Sequence, residues 1–274
     1  MRCVGLTRFL GLAVAVIVLV AAAGCDWWEP LFKRSPKLSL VLSEREKDVS
    51  VCAPVVTPSG DGFYYLRCPR TVLYGDYVTG ELWKASADGS GSHLVTDGSF
   101  HAFALSADGT RLALATDSGR LLLADTNGLL RETLTTGQSG TLNGVSFSRR
   151  DSERLYFVVD YHVNFAINLD GSNMHEVPSD SVDGLPSVQP SGHYSLVTLY
   201  PSEHQLDLGI VQAGTGDSSA LHAITYKRCW LGSEWSCWTP NEDAIFFSAN
   251  EWRISDPMYL MPAEIWKYEP VFDR

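Results

Sequence analysis

The chain has 274 residues, of which 45% are hydrophobic, and a formal net charge of −11 at pH 7. This length and apolar fraction allow one large domain with a packed core. An acidic surface repels the phosphate backbone that basic patches would attract, so we expect no nucleic-acid partner.

The N-terminus has the three-part pattern of a bacterial export signal. Arg2 and Arg8 carry positive charge, residues 10–20 are apolar and uncharged, and residues 21–24 are small. The apolar stretch is shorter than the roughly 18 residues typical of a membrane-spanning helix. We therefore predict a signal peptide over residues 1–24. Its removal would take away two positive charges and change the net charge from −11 to −13.

Cys25 directly follows Ala-Gly, which resembles the lipobox of bacterial lipoproteins. The resemblance implies that Cys25 becomes the mature N-terminus and carries a diacylglycerol, with palmitate as the expected fatty acid. The sequence departs from the lipobox at Ala22, where the family usually has Leu, and a chance cysteine is the alternative. The implied location is the cell envelope, lipid-anchored, facing the periplasm or the cell exterior. Asp26 is a retention signal in some bacteria only, so inner versus outer membrane stays open.

Residues 25–37 contain two prolines and no periodic pattern, which predicts a tether. Trp27 and Trp28 could rest at the lipid headgroups or pack locally. The alternating stretch at residues 38–43 predicts a β-strand.

Five similar turns recur after the tether, and their first residues are 49, 42, 41 and 50 positions apart. Each is followed by a run of aliphatic, aromatic or β-branched residues typical of a strand. The turns are residues 57–62, 106–109, 148–151, 189–192 and 239–243, and the runs are residues 63–66, 112–115, 155–159, 194–198 and 244–248.

A second class of turn recurs between these, in the form of Asp-Gly or Asn-Gly pairs suited to tight hairpins. Two turns per repeat imply four antiparallel strands per repeat, and repeats of this length are typical of β-propeller blades. We predict an all-β propeller over residues 38–274, with five blades, or six if the gene is truncated. The second-class turns are Asp88-Gly89, Asn127-Gly128, Asp170-Gly171 and residues 213–216.

The fifth repeat ends soon after its third strand, residues 265–268, so its outer edge needs a partner. The strand at residues 38–43 could supply the missing fourth strand and close the ring from the other terminus. We expect the protein to be a monomer.

The stretch SADGTRLAL at residues 106–114 is similar to the SPDGKKIAF segment of TolB-type, WD-like propeller repeats. NLDGSN at residues 168–173 and ASADGS at residues 85–90 resemble a later turn of the same repeat. The resemblance covers roughly residues 50–270 and implies a β-propeller of the bacterial cell envelope. TolB has an extra N-terminal α/β domain, whereas we expect only a tether before the first repeat here, so the resemblance implies no TolB-specific role.

Four cysteines remain in the predicted mature domain, and an even number in an exported protein suggests two disulfides. If Thr57 lies opposite Phe63, then Cys52 lies opposite Cys68, which favours this pair. Cys229 and Cys237 flank one short loop and could pair locally. A zinc site is the alternative, but neither a CxxC motif nor a nearby histidine pair is present.

Two connections between the second and third strands of a repeat are long, at residues 69–80 and 249–263. Long connections in a compact domain are often functional. They lie on the face opposite the tight turns, which we call the loop face, and in a five-bladed ring they are neighbours. Aromatic residues and arginine anchor many interfaces. The candidate partner-binding residues are Tyr74, Tyr77, Trp252, Arg253 and Tyr259 on these connections, and Asp97, His101, Asp183, Glu234 and Trp235 between blades.

No nucleophile elbow, zinc-protease motif, Walker loop or Rossmann glycine set is present in the sequence. We expect no cofactor, no metal and no enzyme activity, and interpret the protein as a scaffold for an envelope protein or a small ligand. The alternative is a glycosidase-like enzyme, since similar five-bladed propellers include glycosidases that use paired carboxylates in the channel. Its candidates are Asp97, Asp160, Asp183, Glu203 and Glu251.

Overall fold

The structure is a computed structural model, and all the residues it describes lie in the unit Lys37–Pro270. It describes residues 37–69, 79–134, 136–160, 162–178, 182, 185, 187–202, 205–212, 222–224, 229–230, 236–251 and 263–270. For residues 45, 200–202, 205–206, 222–224, 229–230 and 250–251 only the backbone is described.

The described residues form nineteen strands and one short 3₁₀ turn, Arg45–Lys47. No helix among them is long and apolar enough to cross a membrane. The strands are β1 (Lys37–Leu42), β2 (Val49–Val56), β3 (Gly62–Pro69), β4 (Gly80–Ser86), β5 (His93–Leu105), β6 (Arg111–Thr116), β7 (Leu121–Asp125), β8 (Leu130–Leu134), β9 (Leu142–Phe147), β10 (Arg154–Val159), β11 (Val163–Asn168), β12 (His175–Val177), β13 (Tyr194–Ser202), β14 (Gln205–Gln212), β15 (His222–Ile224), β16 (Cys229–Trp230), β17 (Ser236–Trp238), β18 (Ile245–Glu251) and β19 (Glu264–Glu269).

The first seven strands after β1 form one antiparallel sheet in chain order, from β2 to β8. The 13-residue strand β5 pairs with β4 through its first half and with β6 through its second half. The register shifts between the halves, next to Gly98, whose φ is +151°. The sheet therefore consists of two four-stranded units that share β5.

The following strands repeat this order. β9 to β12 form a four-stranded antiparallel sheet, and β13 to β15 form a three-stranded one, to which Val188 adds an isolated bridge with Ser195. In the last sheet, β18 pairs with β16, β17 and β19. The turns predicted from the sequence connect these strands in the described part of the chain, whereas residues 213–216 lie outside it.

The last sheet is extended by a strand from the other end of the chain. β1 pairs antiparallel with β19, so that Leu38 lies opposite Tyr268 and Leu40 opposite Trp266. The strand predicted at residues 38–43 is therefore present one residue earlier, and it covers the edge that the sequence left without a partner.

The first residue of each predicted turn is buried, because its side chain or backbone organises the turn from inside. Thr57 Oγ1 accepts a hydrogen bond from Gly62 N at 3.2 Å and donates to Asp61 Oδ1 at 2.7 Å. Thr239 makes the corresponding bonds with Ala244 and Asp243. A buried hydroxyl is thus satisfied within its own turn, as a buried polar group requires.

Apolar clusters fill the spaces between neighbouring sheets. One joins the β2–β5 unit to the β5–β8 unit, a second joins the β5–β8 unit to β9–β12, and a third joins the first unit to the last sheet. The third contains Phe63 and Tyr65 from β3 with Phe246 and Ile265 from the last sheet. The first unit therefore packs against the last sheet through an apolar cluster, as consecutive sheets pack against each other.

A close contact between a turn glycine and a strand carbonyl occurs twice. A Cβ on Gly89, in the turn after β4, would lie 2.1 Å from the carbonyl oxygen of Val41 in β1. A Cβ on Gly128, in the turn after β7, would lie 2.2 Å from the carbonyl oxygen of Val95 in β5. β1 therefore occupies, beside the first unit, the position that the first half of β5 occupies beside the second.

Candidate functional site

The loop face is defined by the strand ends opposite the tight turns, including Pro69, Gly80 and Ala263. Ser50, near the start of β2, links the strand ends of the two long connections. It lies opposite Cys68, one residue before the end of β3, and its Oγ accepts a hydrogen bond from Ala263 N at 3.1 Å. Val51 N donates to Ala263 O at 3.0 Å. The start of the first long connection, at Pro69, therefore lies beside the end of the second, at Ala263.

Asp97 and His101 lie at the same end of the sheet, where β5 passes from one unit to the next. Phe100, between them, pairs with Gly80 on one side and with Thr116 on the other. Asp97 is exposed and His101 is half-buried. Of the ten predicted partner-binding residues, these two are described, and both lie close to the first long connection.

The remaining predicted contacts lie outside the described residues, so their positions stay predictions. They are Tyr74, Tyr77, Asp183, Glu234, Trp235, Trp252, Arg253 and Tyr259.

A charged cluster that the sequence did not reveal lies beside the first long connection. The Arg67 guanidinium forms an ion pair with Glu44, lies 3.9 Å from Glu81, and stacks 5.0 Å from the Trp83 ring centre. Trp83 Nε1 donates to Glu81 Oε2 at 3.0 Å. The Glu44 side chain is 10% exposed and that of Arg67 25%, so this pair is partly shielded from water and anchors the link between β1 and β2.

Part of this cluster could have been found from the sequence. Glu81 and Trp83 are two residues apart, so they lie on one face of a strand. Glu44 could not, because it is 23 positions from Arg67 and comes from the preceding connection.

Two short connections on the loop face, at Asp117 and Asp160, form hydrogen bonds with the backbone of a neighbouring segment. Asp160, with φ of +49°, accepts a hydrogen bond from Thr141 N at 2.9 Å and donates its own N–H to Thr141 O. Asp117 N donates to Ser99 O. Asp160 therefore has a structural partner, whereas the glycosidase candidates Asp183 and Glu203 lie outside the described residues, as does the side chain of Glu251.

The predicted register of Cys52 and Cys68 is wrong. Thr57 N bonds to Gly62 O, so Val56 rather than Thr57 lies opposite Phe63, and a bulge before Val55 shifts the register again. Cys52 consequently lies opposite Leu66, and Cys68 opposite Ser50. The two thiols nevertheless meet diagonally, with 3.4 Å between their sulfurs.

The backbone does not bring the predicted pair of Cys229 and Cys237 together. Cys237 is a free, buried thiol whose pKa burial raises to about 12. It lies opposite Phe246 on β18, and Cys229 lies opposite Glu251 on the same strand. These positions are five residues apart, or roughly 16 Å along a strand. A disulfide requires Cα atoms within about 7 Å.

The opposite face, which we call the turn face, carries exposed aspartates whose pKa values are lowered by their own turns. The Ser90 hydroxyl and amide lower the pKa of Asp88, and the Ser172 hydroxyl and amide do so for Asp170. Asp108 receives bonds from the Ser106 hydroxyl and from Thr110. These carboxylates organise hairpins. A general acid would need a raised pKa instead.

Among the described residues, no group of three or more His, Cys, Asp or Glu side chains is placed to hold a metal ion.

Known structures resemble the chain in fold. The U3-55K structure and the WD40 repeats of RRP9 each have a TM-score of 0.52 at 11% identity, over 85% of this chain and 98% and 97% of theirs. TolB from Acinetobacter baumannii has a TM-score of 0.43 at 12% identity, over 81% of this chain and 55% of that chain. This chain thus matches about half the length of TolB. No family model and no curated protein matches the sequence.

WD40 repeats are four-stranded propeller blades. The similarity to WD40 repeats and the antiparallel sheets described above show that the chain has a β-propeller repeat fold.

Proposed function

We propose that the strands form a five-bladed ring in which β1 completes the last blade. The units would be β2 to β5, β5 to β8, β9 to β12, β13 to β15 with Val188, and β16 to β19 with β1. The pairing of β1 with β19 and the matched contacts of Gly89 and Gly128 support this closure.

The proposed function of this ring is that of a scaffold in the bacterial envelope, anchored by a lipid on Cys25, that binds a protein partner through its loop face. The observation that carries it is Ser50, which lies opposite Cys68 and bonds to Ala263. Two long connections rich in aromatic residues would leave the ring side by side. One partner could then contact Tyr74, Tyr77, Trp252, Arg253 and Tyr259 together, with Asp97 and His101 at the edge of the contact.

Partner capture tests the loop face. The lipidated protein with both Tyr74→Ala and Trp252→Ala should capture less of its partner from detergent-solubilised envelopes, because aromatic anchors supply much of an interface's energy. The matched control is Asp88→Ala with Asp170→Ala, two exposed changes on the turn face that should leave capture unchanged. Melting curves show whether all variants remain folded. Undiminished capture by the aromatic variant would count against this surface.

The anchor is tested separately. The intact mass of membrane-extracted protein should correspond to a chain that begins at Cys25 and carries a diacylglycerol and a further acyl chain. Cys25→Ser should move the protein from the membrane fraction to the soluble fraction. An unmodified Cys25 in membrane-extracted protein would rule out the lipid anchor without affecting the loop-face proposal.

A further inference from the structure

Two buried thiols lie in contact inside the first unit. Cys52 and Cys68 are 3% and 1% exposed, and their sulfurs are 3.4 Å apart. Gly80 provides the space for this arrangement, because a Cβ there would lie 2.6 Å from Cys68 Sγ. Any residue other than glycine would place its Cβ in the space that the sulfur occupies.

Burial shields the pair from external reagents in the folded protein. The bond to Cys52 and burial hold the pKa of the Cys68 thiol well above its usual range. Thiolates are the reactive form of cysteine, so a folded, reduced protein should oxidise slowly. Reaction requires opening of the unit, as happens during folding.

We propose that Cys52 and Cys68 form a disulfide during folding under oxidising conditions, and that this bond stabilises the junction between the first unit and the last sheet. The oxidant is a small-molecule disulfide such as oxidised glutathione. One cysteine thiolate attacks it and releases one glutathione, and the second cysteine attacks the mixed disulfide and releases the other. The two protein thiols lose two protons and two electrons, and one glutathione disulfide becomes two glutathione thiols.

The link to the last sheet follows from what surrounds Cys52. Val51 N bonds to Ala263 O, and Ala53 N bonds to Ser248 Oγ at 3.0 Å. These groups immediately precede and follow Cys52, so a bond from Cys52 to β3 would restrain the residues that contact the last sheet. Ala53 has φ of +52° within the bulge, a conformation that depends on such restraint.

The inference goes beyond the proposed function, since it concerns the domain alone and holds with or without a lipid anchor. Residues 37–274 would be refolded from denaturant with either oxidised and reduced glutathione or a phosphine reductant. A non-reduced digest of the oxidised sample should contain the Cys52–Cys68 cross-link. The cysteines are 16 positions apart, so the bond should raise Tm by roughly 6–12 °C. Hydrogen exchange at Val51, Ala53 and Ala263 should slow at least tenfold.

Cys237→Ser is the matched control, because it removes another buried thiol and should leave the cross-link in place. Free thiols at both positions, or a cross-link from either one to another cysteine, would overturn the proposal. A cross-link that leaves exchange at Val51, Ala53 and Ala263 unchanged would overturn the link to the last sheet. Comparing oxidised and reduced wild-type protein avoids reliance on variants that fail to fold.

Discussion

The first unit has a neighbour on each side, and the two junctions are built by different means. Towards the second unit, the chain passes through β5 without interruption. Towards the last sheet, β1 and β2 are separate strands joined by residues 43–48, and β1 pairs with a strand more than 200 positions away. Both junctions nevertheless place a turn glycine against a strand carbonyl, Gly89 on Val41 and Gly128 on Val95.

The difference shows what the pairing of distant segments requires. Bringing distant segments together costs more conformational entropy than joining neighbours. The junction with the last sheet has additional polar contacts, in which Ser50 and Ser248 bond to backbone amides and Glu44 pairs with Arg67. At the junction with the second unit, the continuous strand β5 joins the two units directly.

Removing β1 should have the largest effect on this comparison. Deletion of residues 37–42 exposes the edge of β19 and removes Val41 and Leu42 from the cluster they cover. We expect a loss of about 3–5 kcal/mol, a large share of a typical domain's stability. Thermal melting and size-exclusion chromatography measure it. Leu40→Ser, at a 48% exposed residue of the same strand, should cost less than about 0.5 kcal/mol. A deletion that costs no more than Leu40→Ser would show that β1 is dispensable.

Alanine at the two turn glycines tests whether the junctions are equivalent. Gly89→Ala and Gly128→Ala should each cost about 2–4 kcal/mol in urea unfolding, because a positive φ and a steric clash add together. Gly60→Ala is the control for φ alone, since Gly60 has φ of +73° and nothing within 4 Å of its Cβ position. It should cost about 1 kcal/mol. Equal values for Gly89→Ala and Gly60→Ala would contradict the packing of this turn on β1.

Ser248→Ala addresses the polar contacts at the junction with the last sheet. Ser248 is fully buried, and its loss leaves the Ala53 N–H without its acceptor. We expect a cost of about 1–3 kcal/mol, the usual penalty for a buried unsatisfied group. Hydrogen exchange should accelerate at Ala53 and remain unchanged along β6. Acceleration of both regions to the same extent would indicate general unfolding rather than a local contact.

The smallest effect concerns a turn remote from the junction with the last sheet. Hydrogen bonds from Ser106 and Thr110 hold the pKa of Asp108 below its ordinary value of 3.8. The lowered pKa contributes stability above pH 3.8 that is lost as the pH falls through the folded-state pKa. Asp108→Ala should therefore be less stable than wild type at pH 7, by less than about 1 kcal/mol because solvent screens the exposed carboxylate. Urea midpoints at pH 7 and pH 2.5 should differ between the two proteins only at the higher pH.

Several elements were predictable because they depend on neighbouring residues. The turns beginning at Thr57, Ser106 and Thr239 are self-contained, because each hydroxyl bonds to a carboxylate two or four positions away and to a backbone amide five positions away. The alternating pattern of β1 and the unpaired edge of the last repeat were also predictable, and β1 pairs with the strand at that edge, β19. Asp97 and His101 lie on either side of Phe100, which pairs with Gly80 and Thr116 at the end of the sheet opposite the tight turns.

Contacts between distant residues could not be predicted in the same way. The predicted register of Cys52 and Cys68 is off by one residue at the turn, where Val56 lies opposite Phe63, and by one more at a bulge. At that bulge Ala53 N bonds to Ser248 Oγ, 195 positions away. The separation of Cys229 from Cys237 was not visible in the sequence, because β16 and β17 pair with different parts of one long strand, β18.

The amino-acid pattern was sufficient for the repeat, its turns and its strands, since hairpin geometry and side-chain alternation are local properties. The joining of the first unit to the last sheet, the Glu44–Arg67 ion pair and the contact of the two thiols depend on packing between segments far apart in the chain. Such contacts form only where the whole domain brings their partners within reach, and no short stretch of sequence encodes that distance.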